Sequence, residues 1–285
     1  MSYRGRFAPS PTGPLHFGSL VAALASYLDA RAHRGQWLVR IEDLDPLRED
    51  PTACDRIVAT LRAHGLVSDE PIRFQSNQSS YYDDVLARWR QEGRIYPCAC
   101  SRKEMQASGG YHRRRCRQQP DWQQDRSCAL RFRVHPRRGF WHDRLLGRQQ
   151  FLMEGEPDDF IVRRKEGFHA YHLAVVTDDI DQGINAVVRG RDLLELTPFH
   201  LLLYEALGEP LPSYLHVPLV TSRAGQKLSK QTGAAALETA SAARNITMAM
   251  DVLNHPVPEA LRGTPVNEQL AWGIANWCPA WLGWQ

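Results

Sequence analysis

The chain has 285 residues, 43% hydrophobic and 24% charged, with a formal net charge of +3. That is enough apolar material for a real core in one or two domains, and no apolar run approaches the ~20 residues of a membrane span. Met1 to Arg6 is short and basic with no apolar signal core behind it, which argues against secretion.

Tyr3 to Phe7 reads as a short strand, and Gly13 and Gly18 punctuate the turn after it. Leu20, Leu24, Tyr27, Leu28 and Arg31 recur at helical spacing, so a helix is predicted from Ser19 to about His33. Trp37 to Ile41 is a continuous strand-like run ending in Glu42-Asp43-Leu44-Asp45. Strand, turn, helix and strand in this order open a parallel nucleotide-binding sheet. Helices are predicted over Thr52 to His64 and Ser79 to Gly93. From Tyr96 to about Arg148 the periodicity breaks down, and this stretch is read as part of an insertion into the sheet. Phe160 to Val162 and His172 to Val176 resume strand character, the second run leading to Asp178-Asp179. Leu193 to Leu207 is predicted helical, Tyr214 to Val220 a strand, and the tail helical over Ala235 to Asn254 and Val266 to Trp277.

Charge is uneven. Arg102 to Arg148 holds thirteen Lys or Arg against four Asp or Glu, a local +9. Such a surplus attracts a phosphate backbone, although it also suits a solvated face. Cys98-Ala99-Cys100 followed by Cys116 in the same stretch suggests a structural zinc site, because thiolates suit zinc and four ligands are expected. Cys54, Cys128 and Cys278 are scattered, as buried thiols in a reducing cytoplasm are.

Two short motifs carry the chemistry. His16 and Ser19 flank Gly18 just before the first helix. A helix start offers unpaired N–H groups and a positive dipole end, so phosphate binds there, and an imidazole can donate to charge building on it. Gly13 and Gly18 let backbone approach a nucleotide closely. Near the other end, Lys227 and Lys230 bracket Leu228-Ser229, two ammonium groups placed to clamp a triphosphate and to stabilise a departing pyrophosphate. Lys230 leaves 55 residues after it, from which no separate anticodon-reading domain is expected.

Arg6 to Gly13, His16-Phe17-Gly18-Ser19 and Lys227-Leu228-Ser229-Lys230-Gln231 resemble the start and the two signatures of the glutamyl branch of class I aminoacyl-tRNA synthetases. Ser19 replaces the usual second His, Leu228 a Met and Gln231 the final Ser. Tyr171 to Asp179, Val187 to Leu194 and the short length are similar to that branch's short paralogues, which act on tRNA(Asp) carrying queuosine. The resemblance covers about residues 3 to 235 and implies an α/β fold. This is a Rossmann-like parallel nucleotide-binding sheet with a zinc-bearing insertion and a short helical C-terminal tail. The expected division is a catalytic domain over 1–95 and 150–235, a basic zinc-binding part of the insertion over 96–149, and a helical tail over 236–285. It implies activation of glutamate with ATP, with Mg²⁺, and transfer to queuosine rather than to the acceptor end. ATP is assigned to His16, Gly18, Ser19 and Lys230, with His16, Lys227 and Lys230 catalytic.

Glutamate brings two carboxylates and one ammonium. Arg189 and Arg6 are suited to forked carboxylate binding, Glu42 to the ammonium, and Tyr171 to donating a hydroxyl hydrogen bond. The resemblance places substrate contacts on Arg6, Phe7, Ala8, Pro9, Ser10, Glu42, Tyr171 and Arg189. It puts a Tyr four residues before the last zinc Cys, a position held here by His112 with Tyr111 one further back, so either is a candidate fourth ligand. Asp43, Asp45, Asp178 and Asp179 are read as scaffold or ribose contacts, because the glutamate carboxylate is itself the nucleophile. The expected protein is a cytoplasmic monomer without membrane contact. The competing expectations are a truncated glutamyl-tRNA synthetase charging the acceptor end, a non-catalytic RNA-binding paralogue, and a nucleotidyltransferase.

Overall fold

The computed structural model describes residues 2–112, 114–123, 128–219 and 237–283. Strand β1 (Arg4–Phe7) leads through helix α1 (Phe17–Ala32) to β2 (Gln36–Ile41), as the sequence pattern predicts. Leu20, Leu24 and Leu28 bring one face of α1 wholly out of water. Helix α2 (Ala53–Ala63), the two-residue β3 (Arg73–Phe74) and helix α3 (Ser79–Gln91) follow. The chain then passes through β4 (Ile95–Cys98), α4 (Arg102–Ala107), β5 (Ala129–Phe132), β6 (Arg137–Asp143), β7 (Gly147–Met153) and β8 (Phe160–Arg163). Helix α5 (Tyr171–Asp181), β9 (Ala186–Gly190), α6 (Thr197–Leu207), β10 (Ser213–Val217), α7 (Ala242–Val252) and α8 (Val266–Ala275) complete it.

The main sheet has the order β3-β2-β1-β9-β10-β6-β7, parallel except for the antiparallel β6–β7 hairpin. A second, antiparallel sheet has the order β4-β5-β8. In the main sheet the chain winds outward from β1 on one side and from β9 on the other. Ligands of open α/β sheets lie outside the carboxyl ends of the strands at such a reversal. That point lies beyond Phe7 and Gly190.

Two parts of the sequence expectation need correction. His172 to Val176 is not a strand but the middle of α5. Leu173, Ala174, Val175 and Val176 are all buried, so the run lacks the polar face that would have shown a helical period. The basic stretch is also more regular than its periodicity suggested. Helix α4 opens on a capping box in which Ser101 Oγ accepts from the Glu104 N–H and Glu104 accepts from the Ser101 N–H. From Arg138 on, β6 alternates, with Phe140 and His142 exposed and Trp141 and Asp143 buried, while Arg137 is exposed as well. Exposed Arg137, Arg138 and Arg148 hide the hairpin from a search for apolar runs.

One buried carboxylate ties distant parts of the chain together. Asp29 of α1 accepts from Tyr3, from Arg144 at 2.8 Å and from the Trp277 indole at 2.9 Å. Helices α7 and α8 pack on α1 through Ile246, Met250 and Leu270. Among the described residues no helix is long and apolar enough to cross a membrane.

Candidate active site

A cleft of about 330 Å³ opens at the reversal point of the main sheet. Its lining includes Arg6 and Phe7 from the end of β1, Ala8, Pro9 and Ser10 from the following loop, and Glu42 beyond β2. Tyr171 comes from the first turn of α5 and Arg189 from β9, while His16, Gly18 and Ser19 approach from the start of α1. Residues that lie up to 213 positions apart in sequence, Arg6 and Leu219, therefore meet at one opening. The Glu42 N–H donates to Pro9 O at 3.0 Å and holds the loop against β2. Lys227 and Lys230 lie outside the described residues. Leu219 lines the cleft, and the Leu237 N–H donates to the carbonyl of Leu15, another lining residue.

Beneath the cleft is a buried ionic network. Arg6 Nε donates to both carboxylate oxygens of Asp179, at 3.0 and 3.2 Å. Arg40, fully buried in the apolar β2, reaches Asp179 at 2.8 Å, Glu42 at 3.5 Å and Asp178 at 3.6 Å. Asp178 also accepts from Gln75 at 2.7 Å and the Tyr82 hydroxyl at 2.8 Å. Asp178 and Asp179 are thus scaffold. So is Asp43, which accepts from the backbone and hydroxyl of Ser76, and so is Asp45, which pairs with Arg48 and Arg164. Three carboxylates, Glu42, Asp178 and Asp179, face Arg6, Arg40 and Arg73, the last 3.8 Å from Asp178. Glu42 is the least engaged of the three: among the described residues its ion pair is with Arg40 at 3.5 Å, and its Oε1 is buried without a hydrogen bond. Burial pushes the Glu42 carboxyl up to about 7, against the pull of Arg40 and Arg6 and with the repulsion of Asp179 and Asp178. A cationic ligand group at Glu42 supplies the close partner that its carboxylate lacks.

Arg189 is built differently. It is buried, and its N–H groups meet His216 Nε2 at 3.0 Å, His200 Nδ1 at 3.1 Å, Leu193 O at 3.2 Å and Thr197 Oγ1 at 2.9 Å. Tyr171, beside it, has its hydroxyl pushed up to about 12, mostly by burial.

His16 is the N-cap of α1, its Nδ1 accepting the Ser19 N–H at 3.2 Å. In the neutral ring the proton then sits on Nε2, 3.0 Å from Ser19 Oγ, and is the ring's donor. The sequence suggested a donor imidazole at a helix start. The structure adds that the same ring holds the helix start together.

The second sheet carries the cysteine cluster. Ligand atoms of Cys98, Cys100, His112 and Cys116 all lie within 4.8 Å of one another. His112 is buried, with Nδ1 3.2 Å from Cys98 Sγ, whereas Tyr111 is 56% exposed and stands outside the group. The Tyr96 hydroxyl donates to Asp159 at 2.6 Å and sits 2.7 Å from His112 Nε2. Tyr96 has one hydroxyl proton, and Asp159 takes it, so Nε2 donates and Nδ1 turns a lone pair to the thiols. This is how a second shell orients a metal-binding histidine. Burial pushes the Cys100 thiol up to about 12, and Cys98 is raised as well, so only a cation makes this group a set of thiolates. Three thiols and an imidazole fit tetrahedral zinc.

Sequence reasoning missed Arg40, Asp143, His200 and His216. The available signal was a lone polar residue inside an apolar strand run, Arg40 in Trp37–Ile41 and His216 in Tyr214–Val217. Such residues are buried only when paired.

Comparison with known proteins identifies the family. A protein of Vibrio vulnificus named glutamyl-Q tRNA(Asp) synthetase is 44% identical over 97% of this chain and 90% of its own length. One of the same name from Chromobacterium violaceum is 46% identical over 96% and 93%. The crystal structure of a glutamate tRNA ligase from Elizabethkingia meningosepticum, in complex with its amino acid, superposes with a TM-score of 0.81 at 24% identity. A glutamate-tRNA synthetase from Elizabethkingia anophelis gives 0.78 at 24%. The chain covers 66% and 65% of those two structures, which share its fold. The family described as tRNA synthetases class I (E and Q), catalytic domain, matches residues 2–255, and with nine-tenths of the chain inside that match, the protein belongs to this family.

Proposed function

We propose that the protein activates glutamate with ATP and transfers it to queuosine in the anticodon of tRNA(Asp). The observation that carries this is the single cleft at the sheet reversal, where Arg6, Glu42, Tyr171 and Arg189 converge opposite His16 at a helix start. The name shared by the curated relatives supports the acceptor.

In the first step an oxygen of the glutamate α-carboxylate bonds to the α-phosphorus of ATP. The bond from that phosphorus to the bridging oxygen breaks, and pyrophosphate leaves. No general base is needed, because the nucleophile is already an anion. Glu42 and Arg6 hold the amino-acid end, Arg189 takes the side-chain carboxylate, and Tyr171 donates between them. The loop from Phe7 to Ser10 forms the wall along the substrate. His16 Nε2–H donates to the charge growing on phosphate beside Gly18 and Ser19, and Lys227 and Lys230 clamp the leaving group with Mg²⁺. In the second step a hydroxyl of the queuosine ring attacks the adenylate carbonyl, a carbon–oxygen bond forms, AMP departs with the bonding pair, and the hydroxyl proton passes to the departing phosphate or to water.

Zinc held by Cys98, Cys100, His112 and Cys116 fastens the basic part of the insertion, 96–149, which offers charge to the RNA. A tail over 236–285, a cytoplasmic location and a monomeric state complete the proposal. The test is pyrophosphate exchange into ATP that requires glutamate and no tRNA, followed by nuclease mapping of labelled glutamate. Label in the anticodon fragment of queuosine-bearing tRNA(Asp) is expected. Label on the terminal adenosine of tRNA(Glu) would make the protein an acceptor-end synthetase, and no exchange at all would leave an RNA-binding paralogue.

A further inference from the structure

Arg6 and Arg189 enter the same cleft with opposite electrostatic preparation. Arg6 is already neutralised by the two oxygens of Asp179. Among the described residues Arg189 makes no carboxylate contact. Its four acceptors are two imidazole nitrogens, a carbonyl and a hydroxyl, all without charge. Buried guanidinium groups are normally paired, and an unpaired buried charge is costly. A cation held rigidly yet left uncompensated is suited to one event, the arrival of an anion.

The rigidity can be traced to one carboxylate outside the cleft. Asp143, at the end of β6, accepts on Oδ1 from the N–H groups of Leu145 and Leu146, both at 2.9 Å. Its Oδ2 accepts from the His216 N–H at 3.1 Å and faces His216 Nδ1 at 2.7 Å. Asp143 and His216 are both fully buried. A carboxylate only accepts and a guanidinium only donates. The ring between them satisfies both in a single state, neutral with its proton on Nδ1 and its lone pair on Nε2 toward Arg189 Nε. In the other tautomer the Nε2–H would meet the Arg189 N–H, with Thr197 Oγ1 at 3.3 Å to accept it at best, and a bare Nδ1 would face the Asp143 carboxylate at 2.7 Å. In the doubly protonated ring a second positive charge would lie against Arg189. At the far end of the guanidinium, His200 Nδ1 accepts from Nη1, and Thr197 and Leu193 O hold Nη2. With these contacts made, one N–H on Nη1 is left for the cleft among the described residues.

We propose that His216, held in its Nδ1–H form by Asp143, is a positioning residue for substrate choice. It fixes the plane of Arg189 without neutralising it, so that the full positive charge meets the side-chain carboxylate of glutamate and is left uncompensated by the neutral amide of glutamine. The inference rests on the placement of glutamate at Arg189. The established alternative for steadying an arginine, a direct carboxylate, would steady it equally and erase its preference for an anion.

Two amides separate the roles of the two ring nitrogens. Asn places its polar end near the position of Nδ1, so His216→Asn keeps a donor for Asp143 and removes the acceptor for Arg189. Gln reaches the position of Nε2, so His216→Gln restores that acceptor. Losing an acceptor that faces a charged donor weakens binding by roughly tenfold or more. His216→Asn should therefore raise the KM for glutamate in pyrophosphate exchange by about tenfold, with kcat and the KM for ATP within about threefold, and should narrow the preference over glutamine. His216→Gln should recover most of the loss. A glutamate KM for His216→Asn within about twofold of wild type, or equal impairment in both variants, overturns the proposal. A second measurement needs no variant. Nitrogen NMR of histidine-labelled wild-type protein at about pH 7 should show His216 neutral and protonated on Nδ1, and a proton on Nε2 overturns the proposal equally. Arg189→Lys run alongside keeps the two levels apart. If it raises the glutamate KM and His216→Asn does not, only the present inference fails; if Arg189→Lys leaves that KM unchanged, glutamate does not sit at Arg189 and both fall.

Discussion

Glu42 should make glutamate binding depend on pH in a range where most carboxylates do not titrate. Its carboxyl is pushed up to about 7 because it is buried beside Asp178 and Asp179, and Arg40 at 3.5 Å relieves this in part. The substrate ammonium binds the ionised form, so affinity scales with the ionised fraction. For a pKa near 7 that fraction is roughly one-tenth at about pH 6 and nine-tenths at about pH 8, which predicts ~10-fold weaker binding at the lower pH. The side-chain carboxylate of glutamate, near pKa ~4.3, stays charged throughout. Calorimetric titration with glutamate in buffers of different ionisation heat should show close to one proton released per bound ligand at about pH 6 and almost none at about pH 8. Glu42→Gln should bind weakly and lose both the slope and the proton. The folded-state pKa is raised, so the stability contribution of Glu42 is present below the ordinary carboxyl pKa and lost as pH rises through about 7. Glu42→Gln should consequently stabilise the ligand-free protein more at about pH 8 than at about pH 5. Flat binding from about pH 6 to about pH 8, or a slope that survives Glu42→Gln, would refute the assignment of the ammonium to Glu42.

Three further outcomes are expected. His16→Ala should lower pyrophosphate exchange by ~100-fold and cost about 1 kcal/mol of stability by urea unfolding, through lost transition-state donation and a lost helix cap; His16→Asn should restore the cap and not the rate. Cys116→Ser should release one zinc per chain, read by metal analysis, and impair transfer to tRNA more than exchange, with a fully active metal-free protein as the contrary result. Asp29→Ala leaves Arg144 without its carboxylate and should cost on the order of 3 kcal/mol, with Trp277 fluorescence reporting a loosened tail at denaturant concentrations below the main transition.

The opening of the fold was readable because α1 is long, sixteen residues, and Leu20, Leu24, Tyr27 and Leu28 recur along it at helical spacing. The helix α5 was not, since burial on all sides removes the period that distinguishes helix from strand. The residues that the sequence grouped around one substrate lie together in space: Arg6 to Ser10, Glu42, Tyr171 and Arg189 all line one cleft. Their partners were invisible, because Asp179 for Arg6 and Asp143 for His216 are long-range pairings that only topology creates. The cysteine cluster shows the same limit on a smaller scale. The family resemblance left Tyr111 and His112 open, and what sets them apart is that the His112 side chain is buried against Tyr96 and Tyr111 is exposed.

The place of β6 bears on how this protein can be taken apart. The strand lies within the stretch that interrupts the catalytic sheet in sequence, yet in space it joins that sheet beside β10, with Asp143 level with Tyr214. Its last residue and the next one engage opposite structures, Asp143 the histidine under the cleft and Arg144 the aspartate of α1. The interruption is therefore not a cassette. A chimera that exchanged residues 96–149 with those of another synthetase would import a foreign carboxylate position along with the foreign basic surface. Grafts meant to redirect the tRNA should be cut inside the stretch, before β6, leaving Asp143 and Arg144 with the host.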